Sequence, residues 1–188
     1  MDNISSAIFK IEKALDDKFC ENLSEYIELS CKQKATLLSN DKEIEDTAYR
    51  NVYNYGLDER KDQDMLYKKI IFECCQKALK HYQKIFPSLH QEMKLESISL
   101  LKYVKGNFYK RHIDAYHKVN RHISFIINLN KDYEGGELMF YYPHDHQPYS
   151  KVDLNKGDLI MFPSNFMYPH SVEPVISGTR YSIVSWFS

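Results

Sequence analysis

The sequence lacks a net charge of either sign. Its 188 residues contain 25 lysines and arginines against 26 aspartates and glutamates, which gives a formal net charge of −1 at pH 7. A chain balanced in this way has no overall field that would draw it to nucleic acid or to an anionic membrane surface. We therefore predict neither a nucleic-acid partner nor a membrane partner, and we expect any partner to be recognised at a local site.

The sequence also lacks the cysteine spacing of a zinc site and the leader of an exported protein. Its cysteines are Cys20, Cys31, Cys74 and Cys75, and a disulfide between the adjacent last two would be awkward. The N-terminal stretch has neither a basic leader nor a long apolar run, and no segment approaches the length of a membrane span. These features predict reduced thiols and a cytoplasmic location.

Two stretches of the first half have the apolar spacing of α-helices. Asp16 and Asp17 can cap a helix whose apolar positions recur near every 3.6 residues as far as Leu29. A second run with the same period covers 64–85 and is closed by Pro87, which cannot continue a helix. We therefore predict two helices in the first half of the chain.

From Leu95 onward the hydrophobic period changes to two, which is typical of β-strands. Six short apolar and aromatic runs, separated by turn residues, lie within 97–104, 108–117, 122–129, 137–142, 158–162 and 180–187. This spacing favours an antiparallel sandwich or jelly roll with the helices on one outer face. We predict one α+β domain over 1–188, in which 1–94 supplies helical support and a lid loop and 95–188 forms the jelly-roll core.

The segment 46–64, between the two predicted helices, is polar but carries Tyr49, Tyr53 and Tyr55. Long loops over pockets are often functional, so the segment can be a loop that covers a bound substrate. It can equally be an ordinary strand and surface loop. The pattern leaves both interpretations open.

Two histidines and one aspartate of the second half have the spacing of a metal site. His112 and Asp114 are two residues apart, so in an extended strand they point to the same face. His170 follows the predicted strand 158–162 and a short loop, and it can begin the next strand near the same end of the sheet. This ligand set is typical of a non-haem Fe(II) centre with open coordination positions. The chain contains a second histidine followed two positions later by an acidic residue, His90 with Glu92, but the other motifs of the site do not accompany it.

Arg180 begins an otherwise apolar strand, in which it shares one face with Ser182, Val184 and Trp186. Burying an arginine costs free energy unless the guanidinium meets an anion. A guanidinium binds a carboxylate through two parallel hydrogen bonds. The position therefore predicts that Arg180 binds the far end of a metal-bound dicarboxylic acid, and a surface ion pair is the alternative.

The order and spacing of these motifs resemble the Fe(II)/2-oxoglutarate-dependent oxygenases and, within them, the prolyl 4-hydroxylase group. The matching stretches are 103–114, with the pattern Y-x-x-G-x-x-Y-x-x-H-x-D, then 127–130, 134–137, 169–174 and 179–186. The resemblance extends from Tyr103 to Phe187, which is nearly the whole C-terminal half. The closing strands are especially similar to the hydroxylases that sense oxygen through a transcription factor. The resemblance implies a double-stranded β-helix core.

The resemblance also implies roles for individual residues. It makes His112, Asp114 and His170 the iron ligands and Arg180 the partner of the distal carboxylate of 2-oxoglutarate. Tyr103 falls where the family places a tyrosine that lines the cosubstrate pocket. The implied cofactors are Fe(II), 2-oxoglutarate as cosubstrate and dioxygen, with ascorbate as an accessory reductant.

One position departs from the family pattern. Many members have a tyrosine two positions before the asparagine of a Leu-Asn pair, where it helps to bind the distal carboxylate, and this chain has Asn128 there. An amide can still donate a hydrogen bond. We therefore predict that Asn128 contributes to cosubstrate binding, together with Ser182 on the face of Arg180.

The resemblance implies a dioxygenase that couples oxidative decarboxylation of 2-oxoglutarate to hydroxylation of a C–H bond, with a prolyl residue of a peptide or protein as substrate. The nearest alternative is an oxygenase acting on a free amino acid or small metabolite. A non-enzymatic metal-binding jelly roll would need the histidines but not Arg180. Nucleic-acid demethylases usually have a second arginine where this chain has Trp186, and halogenases lack the carboxylate that Asp114 provides.

Overall fold

The structure is a computed structural model that describes residues 4–39, 42–89, 92–115 and 119–188. Within these ranges the chain forms a short 3₁₀ helix at Ile4–Ala7, two α-helices and fifteen strands. The helices are α1 (Asp17–Ser30) and α2 (Asp62–Ile85). The strands are β1 (Phe9–Ile11), β2 (Gln33–Lys34), β3 (Leu37–Ser39), β4 (Lys42–Ile44), β5 (Arg50–Asn51), β6 (Tyr53–Gly56), β7 (Ser99–Val104), β8 (Phe108–His112), β9 (Ile123–Asn128), β10 (Tyr133–Gly135), β11 (Leu138–Tyr141), β12 (Pro148–Val152), β13 (Leu159–Pro163), β14 (His170–Val172) and β15 (Val175–Phe187).

Both predicted helices are confirmed. Helix α1 begins where the Asp16 carboxylate accepts a hydrogen bond of 2.9 Å from the backbone N–H of Phe19, which satisfies one of the free donors of the first turn. Helix α2 ends at Ile85, two residues before Pro87. Neither of these helices combines the length and apolarity that a membrane crossing requires.

The strands form two antiparallel sheets, which confirms the predicted jelly-roll class. The major sheet has the order β1-β13-β9-β15-β7-β6-β2, and β10 pairs with β15 beside it. The minor sheet has the order β12-β11-β14-β8-β5, and β3 and β4 form a separate pair. Because β15 is the central strand of the major sheet and β14 and β8 are inner strands of the minor sheet, Arg180, His170 and His112 are all carried by inner strands.

Alternation along the strands separates two apolar cores. Leu100 and Ile183 belong to the core between the major sheet and the helices, where they pack with Ile27 of α1. Their neighbours Leu101 and Val184 belong to the core between the two sheets. Successive side chains of a strand point to opposite faces, so one sheet serves both cores. The helices therefore cover the outer face of the major sheet and leave its inner face to the site.

The segment 46–64 is joined to both sheets. It contains β5, which pairs with β8 of the minor sheet, and β6, which pairs with β7 of the major sheet. Val52, between these two strands, is fully buried. The strand interpretation is confirmed, and these strands escaped a firmer prediction because two to four residues are too few to show a period of two.

Candidate metal centre

The antiparallel pairing of β14 with β8 brings the three predicted metal ligands together. His170, the first residue of β14, lies directly opposite His112, the last residue of β8. His112 and Asp114 were predicted to share one extended strand, but only His112 lies in β8, and Asp114 lies in the bend that follows it. The side chains still converge, because the ligand atoms of all three residues lie within 4.8 Å of one another.

The ligand atoms have the arrangement that a single metal ion requires. His112 Nε2 lies 3.5 Å from Asp114 Oδ1, and His170 Nε2 lies 3.6 Å from Asp114 Oδ2. His170 and Asp114 are buried, and the side chain of His112 is only 8 % exposed. Two imidazoles and one carboxylate on one side of an ion would fit Fe(II) and leave its other side open.

Backbone carbonyls fix which nitrogen of each imidazole faces the metal position. His112 Nδ1 lies 2.8 Å from the carbonyl oxygen of Lys110, and His170 Nδ1 lies 3.1 Å from that of Tyr168. Donation from Nδ1 to these carbonyls leaves the Nε2 lone pairs free for a metal. Burial, and then the neighbouring His112, lowers the pKa of His170 to about 4, so that its imidazole is neutral at neutral pH.

A buried serine orients the carboxylate ligand. Ser124 Oγ donates a hydrogen bond of 2.6 Å to Asp114 Oδ2 and lies 2.7 Å from the hydroxyl of Ser164. Burial alone would raise the pKa of Asp114, but His170, His112 and this hydroxyl together hold that pKa well below its ordinary range. Ser124 was not among the predicted site residues, although the signal was present in the sequence as one polar residue within the apolar run 123–127.

Arg180 lies in the same cavity as the three ligands. The cavity encloses about 400 Å³ of space not occupied by protein atoms, part of it open to solvent. Its lining residues are Arg50, Leu101, Tyr103, Tyr109, His112, Asp114, Ile126, His170, Val172, Arg180, Ser182, Val184 and Trp186. Three of the four predicted cosubstrate residues, Arg180, Tyr103 and Ser182, are therefore brought together with the metal ligands.

The guanidinium of Arg180 is buried and has no anionic partner among the side chains that the structure describes. The residue is 2 % exposed, its Nη1 donates a hydrogen bond of 3.1 Å to Ser182 Oγ, and its Cζ lies 5.2 Å from the centre of the Tyr103 ring. Within the described ranges no carboxylate lies within 4.0 Å of it. A buried cation of this kind is suited to an anionic ligand.

Asn128 is buried at the end of β9, outside the set of cavity-lining residues. Its amide nitrogen donates to the backbone carbonyls of Asn130, at 2.6 Å, and Leu154, at 3.2 Å. Its Oδ1 accepts a hydrogen bond of 3.2 Å from the hydroxyl of Tyr133. The side chain thus holds the turn that follows β9.

Other candidate ligands do not join the centre. Among the residues that the structure describes, the only group of three potential ligands is the one already named. His146 is exposed and lies 3.1 Å from Nη1 of Arg111, and His144 is also exposed. The four cysteines are not paired with one another in this structure. His90 lies outside the described residues.

Comparison with protein families agrees with the geometry. The family model of the 2OG-Fe(II) oxygenase superfamily matches residues 98–188. A PKHD-type hydroxylase of Idiomarina loihiensis is 30 % identical over 103 residues, which are 53 % of this chain and 45 % of that protein. A PKHD-type hydroxylase of Prochlorococcus marinus is 39 % identical over 97 residues, 50 % of this chain and 42 % of that protein. The chain spans less than half the length of these relatives.

Solved structures share the fold over nearly the whole chain. A prolyl hydroxylase from Trichoplax adhaerens, in complex with a peptide fragment of the hypoxia inducible factor oxygen degradation domain, has a TM-score of 0.76 and 20 % identity, with 96 % of this chain and 83 % of that one covered. A prolyl-4-hydroxylase of Pseudomonas putida has a TM-score of 0.69 and 18 % identity, with 96 % and 91 % covered. The matched residues 98–188 carry all three metal ligands and Arg180, so the similarity to the 2OG-Fe(II) oxygenase superfamily includes the whole candidate metal centre.

Proposed function

We propose that this protein is an Fe(II)- and 2-oxoglutarate-dependent dioxygenase that hydroxylates a prolyl residue in a peptide or protein. The observation that carries the proposal is the cavity in which three metal ligands and the unpaired Arg180 meet. A module that only bound a metal would have no use for a buried guanidinium without an anion. An enzyme with a dicarboxylate cosubstrate requires that cation.

In this proposal His112, Asp114 and His170 hold Fe(II). Bound Fe(II) and 2-oxoglutarate supply the oxidising chemistry with which dioxygen hydroxylates a C–H bond. The protein holds its ligands in register through the carbonyls of Lys110 and Tyr168 and through the hydroxyl of Ser124. The apolar walls of the cavity keep water from the reacting groups.

Arg180 and Ser182 receive the distal carboxylate of 2-oxoglutarate. The hydrogen bond between them holds the guanidinium in place before the anion arrives, which lowers the entropy cost of binding. Tyr103 supports the guanidinium with its ring and lines the same cavity. Asn128 contributes indirectly, because it holds the backbone of the turn after β9, whose strand pairs with β15 beside Ser182.

The structural relatives support a prolyl substrate. Both of those described above are prolyl hydroxylases, and one was solved with a peptide fragment bound. The cavity of this chain has apolar and aromatic walls, among them Tyr109, Val184 and Trp186, which suit a pyrrolidine ring.

The proposal is tested by incubating the purified protein with Fe(II), 2-oxoglutarate, oxygen and a pool of proline-containing peptides. We expect peptides whose mass has increased by one oxygen atom, with one succinate formed for each hydroxylation, as measured by mass spectrometry. Reactions without 2-oxoglutarate serve as the control. If free proline or another metabolite is hydroxylated while every peptide is ignored, the substrate is a small molecule and the peptide assignment is wrong.

A further inference from the structure

A second arginine reaches the metal cavity from the opposite sheet. Arg50 lies on β5 of the minor sheet, opposite Tyr109 of β8, and it lines the cavity. Its Cζ lies 4.7 Å from the centre of the Tyr109 ring, and that ring stacks on His112 with 3.6 Å between centroids and an interplanar angle of 15°. Arg50 is therefore linked to an iron ligand through one aromatic ring.

The hydrogen-bonding groups of Arg50 are incompletely used. Its Nη1 donates a hydrogen bond of 3.0 Å to the carbonyl oxygen of Thr36, whereas its Nε is buried and has no partner among the residues described. No carboxylate whose side chain the structure describes forms an ion pair with this guanidinium within 4.0 Å. Arg60 and Arg121, by contrast, pair with Asp58 at 2.8 Å and Glu96 at 2.9 Å.

We infer that Arg50 binds a carboxylate of the substrate that is hydroxylated. A guanidinium with a buried, unpartnered N–H is stabilised most by an anion that accepts its hydrogen bonds. The cosubstrate carboxylate already has its own cation in Arg180 on the major sheet, so Arg50 is left for the other reactant. This inference rests on the proposed function and narrows its substrate class to prolyl peptides that carry a carboxylate close to the target residue.

Two sources of that carboxylate are compatible with the geometry. One is an acidic side chain next to the target proline, and the other is the C-terminal carboxylate of a peptide that ends near it. Both present the same chemistry to Arg50. Matched peptides separate them: glutamate against glutamine beside the proline, and a C-terminal acid against a C-terminal amide.

The test measures binding in the absence of turnover. Protein loaded with Fe(II) and 2-oxoglutarate under argon is titrated by calorimetry with the four prolyl peptides. The variants are Arg50→Gln, which removes the charge, and Arg50→Lys, which keeps it. Arg60→Gln is the matched control, because Arg60 is exposed and lines no part of the metal cavity. The dissociation constant of 2-oxoglutarate is measured for each protein.

We expect the wild-type protein and Arg60→Gln to bind one of the acidic peptides about tenfold or more tightly than its neutral partner, as for a charged hydrogen bond. Arg50→Gln should lose this preference and Arg50→Lys should retain part of it, both with unchanged affinity for 2-oxoglutarate.

Equal binding of acidic and neutral peptides by the wild-type protein would overturn the role of Arg50 and leave the proposed function standing. This comparison uses only the wild-type protein, so it does not depend on whether a variant folds. A loss of 2-oxoglutarate affinity in Arg50→Gln would assign the residue to the cosubstrate instead. If no prolyl peptide binds, the proposed function falls together with this inference.

Discussion

Each of the three predicted metal ligands is oriented by a hydrogen bond with a group outside the ligand set. The carbonyls of Lys110 and Tyr168 select the nitrogens of the two imidazoles, and Ser124 orients the carboxylate. Groups of this kind determine how far a metal site is organised before the ion arrives. Their contribution can be measured separately from that of the ligands.

Replacing Ser124 by alanine should weaken Fe(II) binding about 10–100-fold while all three ligands remain, since the loss of an orienting partner typically has that effect. Anaerobic titration with Fe(II) measures the change. Ser177→Ala is the control, because Ser177 is an exposed serine that also donates to a carboxylate, that of Glu134 at 2.9 Å. Equal affinities in the two variants would show that Ser124 does not position Asp114.

Replacing Arg180 by lysine keeps the charge but removes the planar fork that binds both oxygens of a carboxylate. We expect the Michaelis constant for 2-oxoglutarate to rise roughly tenfold or more, which corresponds to a lost charged hydrogen bond of about 1.5–3 kcal/mol. Succinate formation at graded 2-oxoglutarate concentrations measures it. An unchanged constant would mean that the cosubstrate carboxylate does not meet Arg180.

Site residues whose spacing follows from strand geometry could be predicted from the sequence. Site residues that reach the cavity through pairing with a distant strand could not. His112, His170 and Arg180 stand at strand positions whose facing can be read from a period of two. Arg50 reaches the cavity only because β5 pairs with β8, across more than fifty residues of chain. Such long-range pairing has no local signal, so Arg50 could not be predicted.

Among the secondary-structure elements, the turn between β10 and β11 depends on glycine. Gly135 has a φ of +75°, and a Cβ atom there would lie 2.3 Å from the carbonyl oxygen of Pro174. That oxygen belongs to the connection between β14 and β15. The turn therefore packs closely against the chain that leads into the strand of Arg180. Neither the conformation nor the space admits a side chain.

Gly135→Ala should therefore lower the free energy of unfolding by more than the roughly 1 kcal/mol typical of an average substitution, because strain in the backbone adds to the clash. Urea unfolding followed by circular dichroism measures the loss. Gly56→Ala provides the control, since Gly56 is a strand residue whose added Cβ would meet nothing within 4 Å. Equal stability of the two variants would contradict the close packing at the turn.

The elements themselves were predictable to different degrees. Asp16 caps the N-terminus of α1, and α2 ends shortly before Pro87, so both helices could be placed from the sequence. The strands β1 to β6 were not delineated, because each has four residues or fewer and their pairing is decided by strands distant in sequence. The two-sheet architecture was nevertheless predictable, since its central strands lie in the second half of the chain, where the hydrophobic pattern has a period of two.

Across the whole molecule, one buried carboxylate joins the helical layer to the major sheet. Asp64 of α2 is fully buried and accepts hydrogen bonds from the hydroxyls of Tyr26, on α1, and Tyr55, on β6, the latter at 2.7 Å, and from the backbone N–H of Asp58 at 2.8 Å. Burial would raise the pKa of Asp64, but these three donors outweigh it and lower that pKa. The ionised form is therefore the one that the fold stabilises.

The lowered pKa predicts the direction of a pH effect on stability. Because the folded pKa lies below the unfolded value of about 3.9, the contribution of Asp64 is fully present above that value and is lost as the pH falls through the folded pKa. Asp64→Asn should cost about 1–3 kcal/mol at pH 7, since buried donors lose a charged acceptor. The free energy of unfolding of Asp64→Asn should also fall less steeply than that of the wild type between pH 4 and pH 2. This range is set by the pKa of an aspartate in the unfolded chain, about 3.9. Urea unfolding across these pH values measures both effects, and parallel curves would contradict the account.

The metal centre is tested most directly by comparing coupled turnover with and without one of its predicted ligands. Wild-type protein, His170→Ala and the control His146→Ala, which changes an exposed histidine outside the centre, are each supplied with Fe(II), 2-oxoglutarate, oxygen and a prolyl peptide. Succinate and hydroxylated peptide are then quantified by mass spectrometry. We expect equal amounts of the two products from the wild type and from His146→Ala, and neither product from a folded His170→Ala. Full activity in His170→Ala would contradict the assignment of the metal centre.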